Sequence, residues 1–332
     1  MRSTLLGATG PMTSGAGLGC AAISGSYGAT DRDEAVAMIG AALDAGVNLL
    51  DVGDYYGMGL GEMLIAEALR GRRREDVVIS VKYGGQRDPS GRWLGHDVSP
   101  IATKSAIGYS LARLGTDYID IYRPGRIEPT VPVEETIGAI GELIDAGYVR
   151  HIALSEAGSE TLRRAVAVHP ICDVQLEYSL VSRGIEDSLL PTCRELGVAV
   201  TAYGVLARGL LGGRWTANRT LEPGDLRANH PRFQGENLEH NLALVEALRQ
   251  VAEARGATVA QLAIAWVASR GGDVVPLIGA KNREQLAELL PALTLELTAD
   301  ELSQIECAVP AGAVAGARYP AGMLRTLDSE RD

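Results

Sequence analysis

Short apolar runs alternate with amphipathic stretches along most of this chain. Residues 31–45 place Val36, Ile39, Ala42 and Leu43 on one helical face, and Gly46 separates them from an apolar run at 47–52. Apolar positions three and four apart predict a helix, and a short continuous run behind a glycine predicts a buried strand. The unit recurs. Helices are predicted at 61–69, 100–114, 132–145, 159–168, 185–196, 238–255 and 259–269. Strands are predicted at 77–81, 118–122, 151–154, 174–176, 198–202 and 274–277, and the run 18–23 supplies an eighth. Strands that do not alternate with polar positions are covered on both faces, as in parallel sheets with helices outside. Eight such units predict an α/β fold, a closed (β/α)8 TIM barrel, as one domain over residues 1–332. The doubly wound alternative is marked by G-x-G-x-x-G after its first strand, and Gly17-Leu18-Gly19 lacks the third glycine. Residues 213–237, rich in Pro, Gly, Asn and Arg, make an extended loop after the seventh strand, of a length that serves as a lid.

Composition narrows the function. Hydrophobic residues make up 46% of the 332, enough for a large core. The net charge of −11 argues against a nucleic-acid or anionic-membrane surface. No apolar run approaches ~18 residues, so no spanning helix is predicted. Met1-Arg2 leads into a Gly- and Thr-broken stretch unlike a signal peptide. Cys20, Cys172, Cys193 and Cys307 lack metal-site or C-x-x-C spacing and read as small core residues. No metal is expected, and a reducing, cytoplasmic setting fits best. Of 31 basic residues only Lys82, Lys104 and Lys281 are lysines. A lysine in an arginine-rich chain marks a place where an amine does what guanidinium cannot.

Reactive groups in such a barrel stand at the C-terminal strand ends. Strand 2 ends in D-V-G-D-Y-Y-G (51–57), strand 3 in V-I-S-V-K-Y-G and strand 4 in I-D-I-Y-R-P-G-R. Strands 5, 6 and 7 end in I-A-L-S-E, V-Q-L-E-Y and T-A-Y-G. Asp51, Tyr56 and Lys82 form a coherent proton-transfer set. Free tyrosine titrates near ~10, an adjacent ammonium favours the phenolate, and an aspartate keeps that ammonium oriented. The expected result is a tyrosine that exchanges a proton near neutral pH.

These strings, with T-D-Y-I-D-I-Y, V-R-H-I-A-L-S-E and V-V-P-L-I-G-A-K in the same order, resemble the aldo-keto reductases over roughly residues 5–308. The resemblance implies an NADP-dependent oxidoreductase (EC 1.1.1.-) that binds NADP(H) without a Rossmann domain and transfers hydride to a carbonyl or imine-type carbon. Tyr56 is then the general acid, Lys82 its activator and Asp51 the partner of Lys82. The family's fourth catalytic residue is a histidine, as in I-D-L-Y-Y-Q-H-R. Residues 119–126 align with that string and put Gly125 at the histidine position. Among His96, His151, His169, His230 and His240 none is an evident replacement, and His96 approaches only if its loop folds inward. Losing one such donor costs ~2.7–4 kcal/mol. Gly125 is expected to open the pocket, and a positive φ there is one possibility. Trp93, Arg123, Gly125 and Arg126 are the substrate-side candidates. Trp93 is read as a pocket wall, and Arg126 as the structural arginine of the family's H-R pair. Arg123 either turns inward to a polar or anionic substrate group or points to solvent.

On the cofactor side, the resemblance assigns Ser155 and Gln175 to the carboxamide of NADP(H) and Tyr203 to its nicotinamide ring. Gly204, Leu206, Arg208 and Gly209 in G-V-L-A-R-G go to the pyrophosphate. Gly279 and Lys281 in I-G-A-K go to the 2′-phosphate, and Gln285 and Glu288 to the adenosine. Three versions stay open: a slow carbonyl reductase, an enzyme for an iminium, or a tailoring enzyme whose bulky natural product fills the histidine's space. A cofactor-binding regulatory or sensor protein of the same fold is the alternative from another class. The expected partner is a small-molecule substrate, with no nucleic acid and no membrane, and the sequence leaves a homo-oligomer open.

Overall fold

The computed structural model describes residues 3–221 and 225–331. Eight parallel strands close on themselves: β1 (Gly17–Gly19), β2 (Leu49–Gly53), β3 (Val78–Tyr83), β4 (Ile119–Pro124), β5 (Val149–Ser155), β6 (Ile171–Glu177), β7 (Ala199–Tyr203) and β8 (Val274–Ile278). Pairing of Ile278 with Leu18 seals the ring. Outside it run α1 (Arg32–Asp44), α2 (Leu60–Ala68), α3 (Pro100–Leu114), α4 (Val133–Asp145), α5 (Ser159–Val168), α6 (Leu189–Leu196), α7 (Gly235–Arg255), α8 (Val259–Ala268), α9 (Arg283–Leu289) and α10 (Ala299–Ala308). The expected (β/α)8 barrel is the fold found. A short hairpin, Thr4–Leu5 with Met12–Thr13, lies at the N-terminal end of the barrel, where Ala8 N–H donates to Gly197 O at 2.7 Å.

Several boundaries differ from the pattern: α6 begins at Leu189 rather than 185, and β6 at Ile171 rather than 174. The run 18–23 is not one strand: β1 ends at Gly19, and Ala22–Ser24 is a 3-10 turn. The Ser24 hydroxyl donates to Cys20 O at 2.8 Å, and Gly25 at φ 87° ends the turn. Ile23 is fully buried, so the run is apolar because it packs against the core, not because it is extended. α7 begins three residues earlier than predicted, at Gly235. Part of the expected lid, residues 222–224, lies outside the described residues, as does Met1-Arg2. Cys20, Cys172 and Cys193 are buried as expected, whereas Cys307 is exposed, because it falls on the solvent side of α10.

Inward positions recur every second residue, and the barrel interior changes character along its axis. At the N-terminal end Leu6, Leu49, Val78, Ile121, Ala153, Cys172, Ala199 and Val275 pack together. Two residues further along their strands come Asp51, Ser80, Arg123, Ser155, Thr201 and, from β6, Asp173 and Gln175, all buried. The apolar layer closes the base, and the polar layer lies towards the mouth.

Candidate active site

The polar layer is a continuous hydrogen-bonded network. Lys82 Nζ forms an ion pair with Asp51 Oδ1. Asp51 Oδ2 also accepts from Ser80 Oγ at 3.1 Å and from Gln175 Nε2 at 2.8 Å. Ser80 links this pair to a second one beneath it, because its hydroxyl accepts from Arg123 Nη2 at 2.9 Å. Arg123 is 0% exposed and clamps Asp173 with two bonds of 2.7 and 3.1 Å. It donates further to Thr201 Oγ1 at 3.2 Å and Leu154 O at 3.4 Å. Arg123 therefore does turn inward, and both its terminal nitrogens are bonded inside the barrel, while its buried Nε has no hydrogen-bond partner among the described residues. Neither expected alternative, substrate contact or solvent, describes it.

Tyr56 stands just beyond β2, at the head of a tight turn in which Gly57, Met58 and Gly59 all have left-handed backbone (φ 56°, 54° and 95°). Left-handed Met58 is strained, and such strain is maintained where the surroundings demand it. A Cβ on Gly57 would stand 2.7 Å from Ser24 O, which excludes any larger residue there. The turn brings the Tyr56 ring to 5.2 Å from Lys82 Nζ. Burial pushes the Tyr56 phenol well above its ordinary value, with Asp51 adding to the rise and Arg126 opposing it. The expected lowering by Lys82 does not prevail, because that ammonium is committed to Asp51 and burial outweighs it.

Gly125 does not open the pocket as expected. Its φ lies outside the left-handed range, and Tyr55 fills the space beside it. A Cβ on Gly125 would stand 3.1 Å from Cε1 and Oη of Tyr55 and from Tyr83 O. A Cβ on Gly85 would approach Tyr55 Cδ1 to 2.5 Å. The Tyr55 ring thus occupies a slot that glycines leave free. It meets Tyr56 edge-on at 5.0 Å and Trp93 at 5.6 Å. Trp93 and His96 belong to an antiparallel hairpin, Gly85–Arg87 with Trp93–His96, that folds over this side. Trp93, 41% exposed, also packs on His96 at 4.8 Å. Burial and Arg126 push the His96 imidazole down to about 4, so it is neutral. Arg126, expected to be structural, instead faces the mouth, with Tyr55, Tyr203 and Tyr319 around it.

On the other side of the mouth Ser155 ends β5, and Gln175 lies in β6 two residues before its end at Glu177. Gln175 gives its amide nitrogen to Asp51, which leaves its oxygen as an acceptor. Beyond β7, Gly204, Ala207, Arg208 and Gly209 all have positive φ. The turn closes on itself, with Ala207 N–H donating to Gly204 O at 2.6 Å and Gly209 N–H to Leu206 O at 2.8 Å. Arg208 is held by Glu177 at 3.1 Å and lies 4.4 Å over the Tyr319 ring. Lys281 Nζ donates to Tyr27 O, and its backbone N–H donates to Gln285 Oε1 at 2.9 Å. Glu288 pairs with Arg214 at 2.5 Å, and nothing stands within 4 Å of a Cβ on Gly279.

The roof of the mouth was not anticipated. Residues 313–331 return across it and are pinned at several points. Asn241 Nδ2 donates to Ala315 O at 2.9 Å, and His230 Nδ1 contacts Arg318 O at 3.2 Å. Arg318 pairs with Glu156 at 2.6 Å and Glu177 at 3.4 Å, the residues that end or follow β6 and β5. Arg318 overcomes the effect of burial and holds the Glu156 carboxyl down at about 2. Tyr319 and Tyr203 share a hydroxyl contact of 3.0 Å, and Tyr203 also donates to Glu156 at 2.7 Å. Asp328 accepts from Gly158 N–H at 2.8 Å. The turns Leu226–Asn229 and Pro231–Phe233 of the long loop lie against this segment, so the expected lid is shared between loop and tail. Glu156 carries one sequence signal that was open to view, a charged residue directly behind an apolar strand. Arg318 and Tyr319 carry none, since their partners on the barrel, Glu156, Glu177 and Tyr203, lie 115 to 162 residues away.

A hollow of about 440 Å³ opens at the opposite end of the barrel, between Leu5, Arg194, Gly197 and Asp273. Arg194 is already paired with Asp273 at 2.7 Å, and no candidate residue lies there. Among the described residues there is no cluster of metal-ligand type, and no helix is long and apolar enough to cross a membrane.

Known proteins are similar to this chain over most of its length. A probable aldo-keto reductase of Glycine max is 39% identical over 321 residues, 96% of this chain and 92% of that protein. The glycerol dehydrogenase of Gluconobacter oxydans superposes with a TM-score of 0.84 at 29% identity, covering 92% of this chain and 94% of its own. An aldo/keto reductase of Klebsiella pneumoniae, solved with NADP and acetate, superposes with a TM-score of 0.74 at 27% identity, over 96% and 99%. The family model for Aldo/keto reductase matches residues 16–309, which takes in every barrel strand and the whole polar layer. By fold, relatives and family match together, the chain belongs to the aldo/keto reductase family.

Proposed function

We propose that this chain is an NADP(H)-dependent reductase of carbonyl or imine-type carbon, with Tyr56 as its acid. The observation that carries the reading is the convergence of Asp51, Lys82 and Tyr56 from adjacent strand ends, with the ammonium 5.2 Å from the phenol ring. A phenol with a raised pKa keeps its proton at neutral pH, which is the form an acid needs. Asp51 holds the Lys82 ammonium beneath Tyr56, where that charge, with Arg126, would offset part of the cost that burial and Asp51 place on the phenolate left after the proton moves to the substrate oxygen.

The residues present fit NADP(H). Bound there, it supplies the hydride. Ser155 and the free oxygen of Gln175 would take the carboxamide, and Tyr203 would flank the ring. The turn at 204–209 with Arg208 would take the pyrophosphate. Lys281 would take the 2′-phosphate, beside Gly279, with Gln285 and Glu288 at the adenosine. Seven arginines and lysines around the mouth of a chain with net charge −11 make it locally suited to an anionic cofactor: Lys82, Arg126, Arg208, Arg227, Arg232, Lys281 and Arg318. Free cysteines agree with a cytoplasmic setting.

The test is NADPH consumption with aldehydes, ketones and cyclic imines. Turnover with at least one class, strongly reduced in Tyr56→Phe, supports the proposal. Tight NADPH binding without any turnover would replace it with the sensor reading.

A further inference from the structure

Arg126 differs from the other arginines of the mouth in having no carboxylate partner among the described residues. Arg123 is held by Asp173, Arg208 by Glu177, Arg227 by Asp225 and Arg318 by Glu156 and Glu177. Arg126 donates from Nη1 to the carbonyl of its own neighbour Gly125, at 2.6 Å. That bond orients the guanidinium and brings no compensating charge. Its surroundings include Tyr55, whose Oη lies 3.1 Å from a Cβ built on Gly125, and its charge is felt by Tyr56, Tyr203, Tyr319, neutral His96 and Glu156, which Arg318 already binds. A partly buried cation without a paired carboxylate leaves donors and charge for a ligand. The neighbouring wall is aromatic, formed by Tyr55, Trp93 and His96, whose rings meet edge to face.

We infer that Arg126 anchors an anionic group on the substrate, so that the preferred substrate is a carbonyl compound carrying a carboxylate, with a planar body against Tyr55 and Trp93. The inference rests on the proposed reductase reading for its carbonyl, and on Arg126 alone for its anion.

Two aldehydes of similar shape separate the effects: para-carboxybenzaldehyde and para-methylbenzaldehyde, assayed with NADPH in wild type, Arg126→Leu and Arg126→Lys. The expected wild-type preference for the carboxylate is roughly 10- to 100-fold in kcat/KM, the worth of one charged hydrogen-bonded contact, and it resides in KM. Arg126→Leu should collapse the ratio towards one, and Arg126→Lys should keep part of it. Unchanged NADPH affinity and Tm in both variants exclude misfolding. A wild type without preference, or a leucine variant that lowers kcat equally for both aldehydes, overturns the inference. The second outcome would make Arg126 a donor to the reacting oxygen instead. If neither aldehyde is reduced, the wider substrate panel decides the reductase reading, and calorimetry with terephthalate on the NADP-loaded protein decides the anion. Binding to wild type but not to Arg126→Leu upholds the site; equal binding, or none, overturns it.

Discussion

Arg123 and Arg126 leave the same strand three residues apart and meet opposite electrostatic environments. Below the strand ends, Arg123 is sealed in the barrel with both its terminal nitrogens on Asp173. Above them, Arg126 stands near Tyr55 without a counter-ion among the described residues, and its charge is felt by Tyr56, Tyr203 and Tyr319. A charge inside the barrel is costly unless it is paired and hydrogen-bonded. A charge at the mouth is partly solvated until a ligand arrives, so it tolerates waiting. On the proposed reading the two levels do different work: the lower network sets geometry, and the upper groups meet ligands.

Removing an upper group that acts on the substrate should give the largest effect. Tyr56→Phe is expected to lower turnover roughly 10²- to 10⁴-fold, the range for loss of a positioned acid. NADPH affinity and Tm should stay near wild type, since Tyr56 makes no hydrogen bond that the fold needs. Near-normal turnover in steady-state assays would move the acid to another group, with Tyr55 the first to examine.

Breaking the lower level should show in stability instead. Asp173→Ala strands Arg123 as a buried, uncompensated cation, at a cost of ~3–5 kcal/mol. Replacing both partners, as Arg123→Met with Asp173→Leu, should recover most of it, because a pair exchanged for apolar packing is nearly neutral. Denaturant unfolding measures both. A single-variant loss below ~1 kcal/mol would mean that Ser80, Thr201 and Asp51 suffice to hold Arg123.

The same two levels explain how much could be read from the sequence. Strands and helices were legible because continuous apolar runs and three-four spacing survive in all eight units. Asp51, Lys82, Ser155 and Gln175 were legible as polar residues interrupting inward positions of apolar strands. Asp173, Ser80 and Thr201 carried that signal as well, and alternation along β3, β6 and β7 points to them. Arg123 was misjudged because a side chain's direction at a strand end depends on its partner, and Asp173 is 50 residues away. Tyr55 was passed over because its slot is made of absences, at Gly85 and Gly125. The tail over the mouth was illegible, since Arg318 and Tyr319 find their partners through tertiary contacts that no local pattern announces.

Smaller effects are expected at the far cofactor end, where a lysine meets one phosphate. Lys281→Ala should raise the Kd for NADPH roughly tenfold or more, the worth of a charged hydrogen bond, and leave NADH nearly unaffected. Fluorescence titration with both cofactors checks this. Equal losses would place the 2′-phosphate elsewhere, with Arg227, 5.2 Å over Tyr27, the nearest alternative cation.

The smallest effect, and the sharpest on the upper level, concerns Gly125. An imidazole there would add a donor beside Tyr56, yet its Cβ would already stand 3.1 Å from Tyr55 and from the Tyr83 carbonyl oxygen. The carbonyl is backbone and yields little, while the Tyr55 ring is a side chain and must swing out. Gly125→His alone should therefore leave reduction of a small aldehyde within a few-fold of wild type, the donor's gain being offset by displacement of Tyr55 from its packing on Trp93. Gly125→Ala, which adds the same Cβ without a donor, should lower Tm slightly and change turnover little. Tyr55→Val clears the slot, and Gly125→His in that background should then recover much of the few-hundredfold that one oriented donor supplies. A large gain from Gly125→His in the presence of Tyr55 would show that the ring yields freely. A gain in neither background would show that the reaction at this mouth already has its second donor, and Arg126, one residue along, is the group in place to be it.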